Sequence, residues 1–384
     1  MADVVVIGAG ISGAAAAYEL ASDGCETVLL DRYGPAAMAS GWTLAGVRQS
    51  GRHPAELPLA RDAVARWAGL DEALDGVTRY RRRGNLRLAR TPAEVATIRA
   101  LVAEQSAAGL DLAFLADGAA VRAVAPAVAG EALAASFCPT DGHADPHATV
   151  GAFVRAAERR GAALRFGERA VAIEVEQGRV VAVRTDAGRI PAGRVVLAAG
   201  VFGNELLGPL GLSVPIEVPM VTVLRSAPGE VVLEPVIGVA NADCAGRQEV
   251  DGRFRVTSGL VAWHGGMTEG TAPRVDPTAR SIAETVARFG AVVPAFLEAR
   301  IEAMWAGLID LTPDALPVLD APAGVAGLVV GMGFSGHGFG LGPVTGRFLA
   351  DLAQGRAPAL PIEAFRLDRF AGRNAPGVLP TLHG

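Results

Sequence analysis

The 384-residue sequence contains no lysine, so all 35 side chains counted as lysine or arginine are arginines. A chain without lysine cannot form a Schiff base through that side chain, and it cannot use the lysine of a phosphate-binding P-loop. It also cannot place an ammonium group beside a cofactor. Any site in this chain that needs a strong cation must therefore use arginine.

Cysteine, positive charge and long apolar runs are scarce as well. The three cysteines, Cys25, Cys138 and Cys244, are scattered without a CxxC pair, so neither a disulfide framework nor a zinc site is expected. The formal net charge of -5 gives no basic surface for nucleic acid. No uninterrupted apolar stretch could span a bilayer, and the N-terminus has no basic segment or cleavage site. We therefore expect a cytoplasmic protein without a membrane span.

The first 31 residues carry the spacing of a dinucleotide-binding fingerprint. Two apolar runs, 4–7 and 27–30, flank a helical stretch at 14–21, and three glycines and an acid complete the pattern: Gly8, Gly10, Gly13 and Asp31. We expect a pyrophosphate at the helix N-terminus and a ribose hydroxyl bonded to the acid. Glycine is abundant, at 48 residues, so chance spacing is the alternative. The presence of strand, helix, strand and acid together favours the dinucleotide interpretation.

Three polar residues lie just before a helix predicted from about residue 55, namely Arg48, Arg52 and His53. Loop arginines are usually solvated, so spacing alone leaves both a structural and a functional role open. Further on, His143 and His147 flank an Asp145-Pro146 pair. Such a pair is typical of a helix start, which explains the pattern without a metal, so we expect no metal site.

Later segments predict two kinds of sheet. A strand at 163–166, a hairpin turning at Gln177-Gly178 and a buried strand ending at Gly200 suggest the return of the first sheet. Between about 215 and 303, short alternating runs and one helix predict an antiparallel sheet.

A glycine-rich passage, "GMGFSGHGFGLG", follows a last apolar strand at the C-terminal side of the chain. It spans 331–342 and is followed by a helix predicted from about 342 to 352. A glycine loop entering a helix directs free backbone N–H groups at one point. We expect a backbone-lined site here, in which His337 shapes the loop rather than transfers protons.

These pieces, in this order, resemble the D-amino-acid oxidase superfamily of FAD enzymes, and within it the glycine oxidase, sarcosine oxidase and D-hydroxyproline dehydrogenase branch. The resemblance spans nearly the whole chain through "VVIGAGISG", "AGVRQSGR", "DGHADP", "RVVLAAG", "WAGLIDLTPDALPVL" and "GFSGHGFGLGP". It implies hydride removal from a carbon attached to nitrogen, giving an imine that water hydrolyses.

The fold implied is α/β, with a discontinuous Rossmann-type FAD-binding domain and a substrate domain whose mainly antiparallel sheet is covered by helices. We assign 1–79, 145–214 and 304–384 to the first domain, and 80–144 and 215–303 to the second. The residues expected at the cofactor are Gly8, Gly10, Ile11, Ser12, Gly13, Asp31, Arg32, Ala39, Ser40, Gly46, Val47, Val171, Ala199, Gly200, Gly333, Phe334, Ser335, Gly336, His337 and Gly338.

Departures from the family pattern narrow the expected chemistry. The cysteine that binds flavin covalently in monomeric sarcosine oxidases is missing near 305–308, so FAD should be non-covalent. Ile309-Asp310 stands where glycine oxidases have a carboxylate-binding arginine, which leaves Arg48 and Arg52 for that task. Gly340 stands where the sarcosine oxidases carry a lysine. His264 is the only basic group around "VAWHGG", where another lysine assists oxygen in that group.

The resemblance thus implies an FAD-dependent dehydrogenase or weak oxidase for a small amino acid or cyclic secondary amine. A proline- or hydroxyproline-like substrate comes first and a sarcosine-like one next, and Arg48, Arg52, His264 and His337 are the candidate catalytic residues. The electron acceptor is left open. Alternatives are an FAD-binding β-type subunit active only with a partner subunit in an amino-acid or opine dehydrogenase, and an oxygen-using D-amino-acid or glycine oxidase. A plain NAD-binding dehydrogenase leaves the last glycine loop unexplained.

Overall fold

The first apolar run of the chain forms a buried strand, and its neighbours build the first of two large sheets. The computed structural model describes residues 2–270 and 272–371. Met1, Thr271 and residues 372–384, which fall within the domain ranges expected above, lie outside the described part. The strands are β1 Ala2–Ile7, β2 Thr27–Asp31, β3 Gly46–Val47, β4 Asn85–Ala89, β5 Ala113–Leu115, β6 Ala134–Cys138, β7 Gly142–His143, β8 Ala163–Phe166, β9 Ala170–Glu176, β10 Arg179–Thr185, β11 Gly188–Leu197, β12 Pro219–Ser226, β13 Val236–Val239, β14 Cys244–Gln248, β15 Phe254–Ser258, β16 Val261–Ala262, β17 Ile301–Leu308, β18 Val318–Asp320 and β19 Leu328–Met332.

Helices fill most of the connections between these strands. The α-helices are α1 Ile11–Ser22, α2 Ala39–Trp42, α3 Leu57–Trp67, α4 Leu70–Ala73, α5 Pro92–Ala107, α6 Gly118–Val124, α7 Pro146–Arg159, α8 Gly203–Leu207, α9 Ala279–Val292 and α10 Gly338–Ala353. Short 3-10 turns occur at Gly200–Phe202, Gly208–Leu210, Pro294–Glu298, Glu363–Phe365 and Leu367–Phe370. Within the described ranges, no helix is both long and apolar enough to cross a membrane.

The first sheet has the order β18-β19-β11-β1-β2-β8, with the β9–β10 hairpin added to β11. Its five strands from β19 to β8 are parallel, and β18 is antiparallel at the edge. Alternate residues of β1 face opposite sides, so Val4 and Val6 join the core with α1, α7 and α10, while Val5 and Ile7 join the core with the hairpin. Both faces of β1 are therefore buried, which explains its continuous apolar sequence.

The second sheet has the order β16-β12-β15-β14-β13-β4-β6-β5, with β17 paired to β12. All of its pairs are antiparallel except β13 with β4. Phe254, Phe289 and Phe296 pack edge to face in its core and attach α9 to the sheet. The predicted α/β class with a mainly antiparallel second sheet is confirmed. The expected boundary at 303/304 falls inside β17, however, whose pairing with β12 runs from Ile301 to Leu308 and keeps 304–308 with the second sheet.

Local helix and turn signals gave the expected elements. Thr91 and Glu94 form the reciprocal capping box at the start of α5, and Asp145 accepts from Ala148 N at 2.8 Å at the start of α7. The β9–β10 hairpin turns at Gln177 and Gly178 with φ of 49° and 75°. The helix predicted from about 342 instead begins at Gly338, inside the glycine-rich passage. This correction matters for function because it places a helix N-terminus within that passage.

Candidate active site

Two helix N-termini lie side by side at one edge of the first sheet. Helices α1 and α10 run parallel, and glycines on α10 let the two backbones approach closely. A Cβ added at Gly346 would collide with Ala15 Cβ and lie 2.7 Å from its carbonyl carbon. Thr345 Oγ1, two turns into α10, donates to Ser12 Oγ in the first turn of α1 at 3.3 Å. Both helix dipoles therefore direct their positive ends to the same side of the molecule.

The first glycine loop joins β1 to α1 in a conformation that favours glycine. Gly8 has a φ of 110°, and a Cβ at Gly13 would collide with the Gly8 carbonyl oxygen. Gly10 is the N-cap of α1 and supplies no side-chain cap, while Ser40 Oγ accepts from Ile11 N at 2.9 Å. The loop thus presents backbone rather than side chains at the helix start, which suits a pyrophosphate.

Asp31 organises this loop from the end of β2. Its carboxylate accepts hydrogen bonds from Ala9 N at 2.7 Å, Tyr33 N at 2.8 Å and Gly34 N at 2.9 Å. Burial raises the pKa of Asp31, and these backbone donors oppose that effect. The expected role towards a ribose hydroxyl stays a prediction. The structure adds a second role, because this carboxylate fixes the loop to the following turn.

The second glycine loop, 333–338, is fixed by residues that follow β17. Asp310 Oδ2 accepts from Gly333 N at 2.7 Å, and Thr312 N donates to Ser335 Oγ at 3.1 Å. Burial raises the pKa of Asp310 to about 6. Ser335 has a φ of 51°, an uncommon conformation for a residue with a side chain. These contacts direct the N-terminus of α10 towards the cleft between the two sheets.

The cleft brings together most of the predicted site residues. Those lining it are Gly8, Gly10, Ile11, Ser12, Asp31, Arg32, Ala39, Ser40, Gly46, Arg48, Arg52, Ala199, Gly200, Phe334, Gly336, His337 and Gly338. Gly13, Val47, Gly333 and Ser335 are buried and do not line the cleft. Val171 is exposed on β9, where its neighbour Ala170 lines the cleft instead. His264 lines a separate hollow formed with residues that include Trp263 and Thr278.

A cluster of charged side chains lies at the end of the cleft near α10. Arg52 Nη1 lies 3.4 Å from Glu56 Oε2 on the next turn. Arg48 and Arg87 both approach Gly51, since a Cβ added there would be 3.2 Å from Arg48 Nη1 and 2.9 Å from Arg87 Nη2. Burial and the neighbouring Arg52 lower the pKa of Arg87 to about 10.

Asp141 is the second carboxylate of this cluster. It is fully buried and accepts from Gln49 N at 2.8 Å and Ser50 N at 3.2 Å, which fixes the segment carrying Arg48 and Arg52. The charged cluster, defined as Arg48, Arg52, Arg87, Glu56 and Asp141, therefore contains three guanidinium groups and two carboxylates.

The imidazole of His337 contacts the same cluster at the start of α10. Its Nδ1 lies 3.2 Å from Glu56 Oε1 and 3.1 Å from Oε2. Burial lowers the pKa of His337 to about 4. Burial opposes ionisation of Glu56, but His337 and then Arg52 outweigh it and hold the pKa of Glu56 at about 2. At neutral pH, His337 is therefore a neutral imidazole beside an ionised carboxylate.

The second sheet supplies the opposite wall of the cleft. Five strands place a row of facing residues in register, and this row ends at Arg87: Val223, Thr257, Ala245, Gly238 and Arg87. The first four line the cleft. Because the two residues nearest Arg87 in the row are an alanine and a glycine, the wall is recessed beside the charged cluster. This recess is uncharged, which suits a small apolar group.

Three residues of the charged cluster were not singled out from the sequence as site residues. Glu56 has a recognisable signal, because it stands four residues after Arg52 at a helix start. Arg87 breaks the apolar pattern of "NLRLA", which places its side chain on the face opposite Leu86 and Leu88. Asp141 lies within the quoted motif "DGHADP". None of these signals identifies its partners, which come from distant segments.

The glycine cradle and the two paired helix N-termini fit a long cofactor that carries both a pyrophosphate and a ring system. The chain matches the family model DAO, described as FAD dependent oxidoreductase, over residues 3–352. It is 32% identical to D-amino acid dehydrogenase 2 of Ralstonia nicotianae over 305 residues, which cover 76% of this chain and 69% of that protein. It is also 26% identical to mitochondrial dimethylglycine dehydrogenase of Homo sapiens, covering 91% of this chain but 42% of that protein.

Solved structures have the same fold. L-proline dehydrogenase from P. horikoshii aligns with a TM-score of 0.88 at 25% identity, covering 96% of this chain and 97% of that one. Glycine oxidase from Bacillus cereus aligns with a TM-score of 0.84 at 24% identity, covering 92% and 95% of the two chains. The match to the family model over residues 3–352 makes the protein a flavin-dependent oxidoreductase whose cofactor is FAD. The chain belongs to the DAO family, whose enzymes act on amino acids or amines.

Proposed function

We propose that this chain oxidises the C–N bond of a small amino acid or secondary amine to an imine, acting as a dehydrogenase rather than an oxidase. The preferred substrate is a proline- or hydroxyproline-like compound, with a sarcosine-like compound next. Bound FAD supplies the acceptor for the electrons that leave the substrate. The residues of the chain bind the substrate, orient it and exclude water.

The observation that carries this proposal is the concentration of guanidinium groups at one end of the cleft. Arg48, Arg52 and Arg87 lie close to one another there, and His337 beside them is a neutral imidazole. The positive potential of these groups would stabilise an anionic substrate group. Arg48 and Arg52 line the cleft, and arginine suits a carboxylate because it can donate two parallel hydrogen bonds. The recess at Gly238 and Ala245 lies in register beside Arg87 and leaves room for a small ring or aliphatic group.

The lack of a lysine side chain supports a dehydrogenase. The chain has no lysine, and His264 lies outside the cleft. At Gly340, a Cβ would lie 2.9 Å from the Gly46 carbonyl oxygen and 3.7 Å from Arg48 N. A side chain at this position would therefore press on the strand that leads to Arg48.

Non-covalent attachment of FAD is also part of the proposal. Of the three cysteines, Cys244 lines the cleft, and burial raises the pKa of its thiol to about 12. A protonated thiol is a poor nucleophile. Precipitation with acid should therefore leave the yellow cofactor in the supernatant. Yellow protein in the washed pellet would show a covalent bond.

Anaerobic flavin reduction tests the substrate class and the acceptor together. The purified holoprotein is mixed without oxygen with proline, hydroxyproline, N-methyl amino acids and glycine, each as single enantiomers where these exist, and with hydroxy acids and sugars. At least one amine should bleach the flavin absorbance, and a quinone dye should restore it much faster than air does. Bleaching by hydroxy acids or sugars alone would overturn the C–N assignment. Recovery in air as fast as with the dye would make the protein an oxidase. Turnover of the isolated chain with the dye would exclude the partner-subunit alternative.

A further inference from the structure

His337 carries a buried acceptor atom that the contacts within the fold leave unused. The residue lines the cleft, is only 6% exposed, and its Nε2 has no hydrogen-bond partner among the described residues. Buried polar atoms are almost always hydrogen-bonded in folded proteins, so an exception at a cleft calls for an explanation. A ligand that places a donor at Nε2 would provide one.

Glu56 determines which nitrogen of His337 carries the proton. The carboxylate is fully buried and lies within 3.2 Å of Nδ1, so the neutral imidazole donates from Nδ1 to Glu56. In that tautomer Nε2 has a free lone pair and no hydrogen. His337 lines the cleft whereas Glu56 does not, so Nε2, the nitrogen that Glu56 does not hold, is the one left for a ligand.

The same carboxylate connects this acceptor to the cation expected to bind a carboxylate. Arg52 lies 3.4 Å from one oxygen of Glu56, and His337 contacts both oxygens. Arg52, which can donate to a carboxylate, and His337, which can accept from an N–H, are therefore both held by Glu56. An α-amino acid or α-imino acid carries these two groups one carbon apart.

We infer that Nε2 of His337 accepts a hydrogen bond from the N–H of the substrate amine, and that Glu56 is the positioning residue that keeps Nε2 unprotonated. This rests on the proposed function, because it requires a substrate that carries both an amine and a carboxylate. The bond orients the nitrogen while the arginines hold the carboxylate, which fixes the carbon between them relative to the cofactor.

Two planar carboxylates that differ in one atom test the inference. Pyrrole-2-carboxylate presents an N–H beside its carboxylate, and furan-2-carboxylate presents an ether oxygen in the same place. Their dissociation constants are measured on the holoprotein from the change in flavin absorbance. The wild type should bind the pyrrole about 10-fold more tightly or better, since the furan leaves the buried acceptor unpaired. Equal binding in the wild type would overturn the inference but leave the proposed function standing.

The ratio of the two dissociation constants is then measured on variants, because a ratio within one protein is insensitive to a general loss of stability. His337→Leu should bring the ratio close to one, and His337→Gln, whose amide oxygen can replace Nε2, should retain part of the preference. Glu56→Gln should reduce it, since the amide no longer selects one tautomer. An unchanged ratio in His337→Leu would overturn the assignment.

The matched comparison is His264→Leu, the same substitution at a histidine outside the cleft. Loss of the preference in this variant, with retention in His337→Leu, would move the acceptor role to His264 and overturn the inference. If neither carboxylate perturbs the flavin of the wild type and no amine reduces it, the proposed function fails together with the inference.

Discussion

The close packing of α1 on α10 predicts that glycine-to-alanine substitution lowers the stability of the protein at Gly346. The same substitution at Gly151, a helical glycine outside this contact, should raise the stability. In Gly346→Ala the new methyl group collides with Ala15 and lies 2.7 Å from its backbone carbonyl carbon, so the two helices must separate. Overpacking of this kind costs about 1–3 kcal/mol, and contact with rigid backbone favours the upper end. Replacing glycine by alanine inside a helix returns about 1 kcal/mol. The net effect should be a loss of about 2 kcal/mol.

The control is Gly151→Ala in α7, where the same change meets a movable neighbour. Its Cβ would approach Arg155 Nη1 at 3.0 Å, which is the far end of a flexible side chain. This variant should gain up to about 1 kcal/mol from helix propensity alone. Denaturant unfolding is measured for both variants and the wild type, with saturating FAD and after its removal. Because α1 and α10 both begin at the cleft, Gly346→Ala should also raise the dissociation constant for FAD, whereas Gly151→Ala should not.

The refuting result is a Gly346→Ala variant that is as stable as Gly151→Ala in both states. It would mean that the α1–α10 contact can relax at no cost. The argument that both helix N-termini are fixed at the cleft by this contact would then fail. If Gly346→Ala is less stable but binds FAD as tightly as the wild type, the two helices are closely packed but their packing does not affect the cofactor site.

Three further predictions concern the charged cluster and the second glycine loop. Arg48→Ala should weaken binding of the substrate carboxylate about 10- to 100-fold, the range for a charged hydrogen bond, without release of FAD. An unchanged dissociation constant for pyrrole-2-carboxylate would exclude Arg48 from the site. Burial raises the pKa of Asp310 to about 6, above its value of about 4 in the unfolded chain. The protonated carboxyl therefore contributes its full stabilisation below pH 4, and this stabilisation is lost as the pH rises through 6. In denaturant titrations, the free energy of unfolding of Asp310→Asn relative to wild type should therefore rise by about 1–3 kcal/mol between pH 4 and pH 7. If this difference does not change with pH, the carboxyl of Asp310 does not ionise in this range with a raised pKa. Gly340→Lys should lower substrate affinity by displacing the strand before Arg48, without faster flavin reoxidation in air in a stopped-flow measurement. Faster reoxidation would show that an ammonium group at position 340 is enough to promote the use of oxygen.

Sequence reasoning worked where the determining interactions are local. The β1-α1-β2 unit follows from adjacent apolar runs and glycines that meet within one turn, and Gly8 and Gly13 contact each other directly in the structure. The cap of α5 and the turn at Gln177-Gly178 are likewise decided by residues within three positions of one another. For these elements the sequence contains both partners of each contact in a single short window.

The start of α10 could not be predicted in the same way. Glycine is the poorest helix former apart from proline, so intrinsic propensity places 338–342 in a loop. The structure makes this segment helical because the glycines at 342 and 346 are needed for contact with Ile11 and Ala15, more than 300 residues earlier. Tertiary packing therefore overrides local propensity, and it does so where the helix dipole reaches the cleft.

The contacts within the charged cluster could not be predicted from local sequence either. Arg48 and Arg52 could be proposed from the resemblance, but the role of Glu56 depends on His337, which reaches it from the other end of the chain. Arg87 joins through the register of β4 with β13, which no local pattern determines. A histidine among glycines suggests a residue that shapes a loop, and the contact with Glu56 agrees with that. The same contact leaves Nε2 without a partner, so holding the loop and accepting a substrate hydrogen bond require the same tautomer and do not compete.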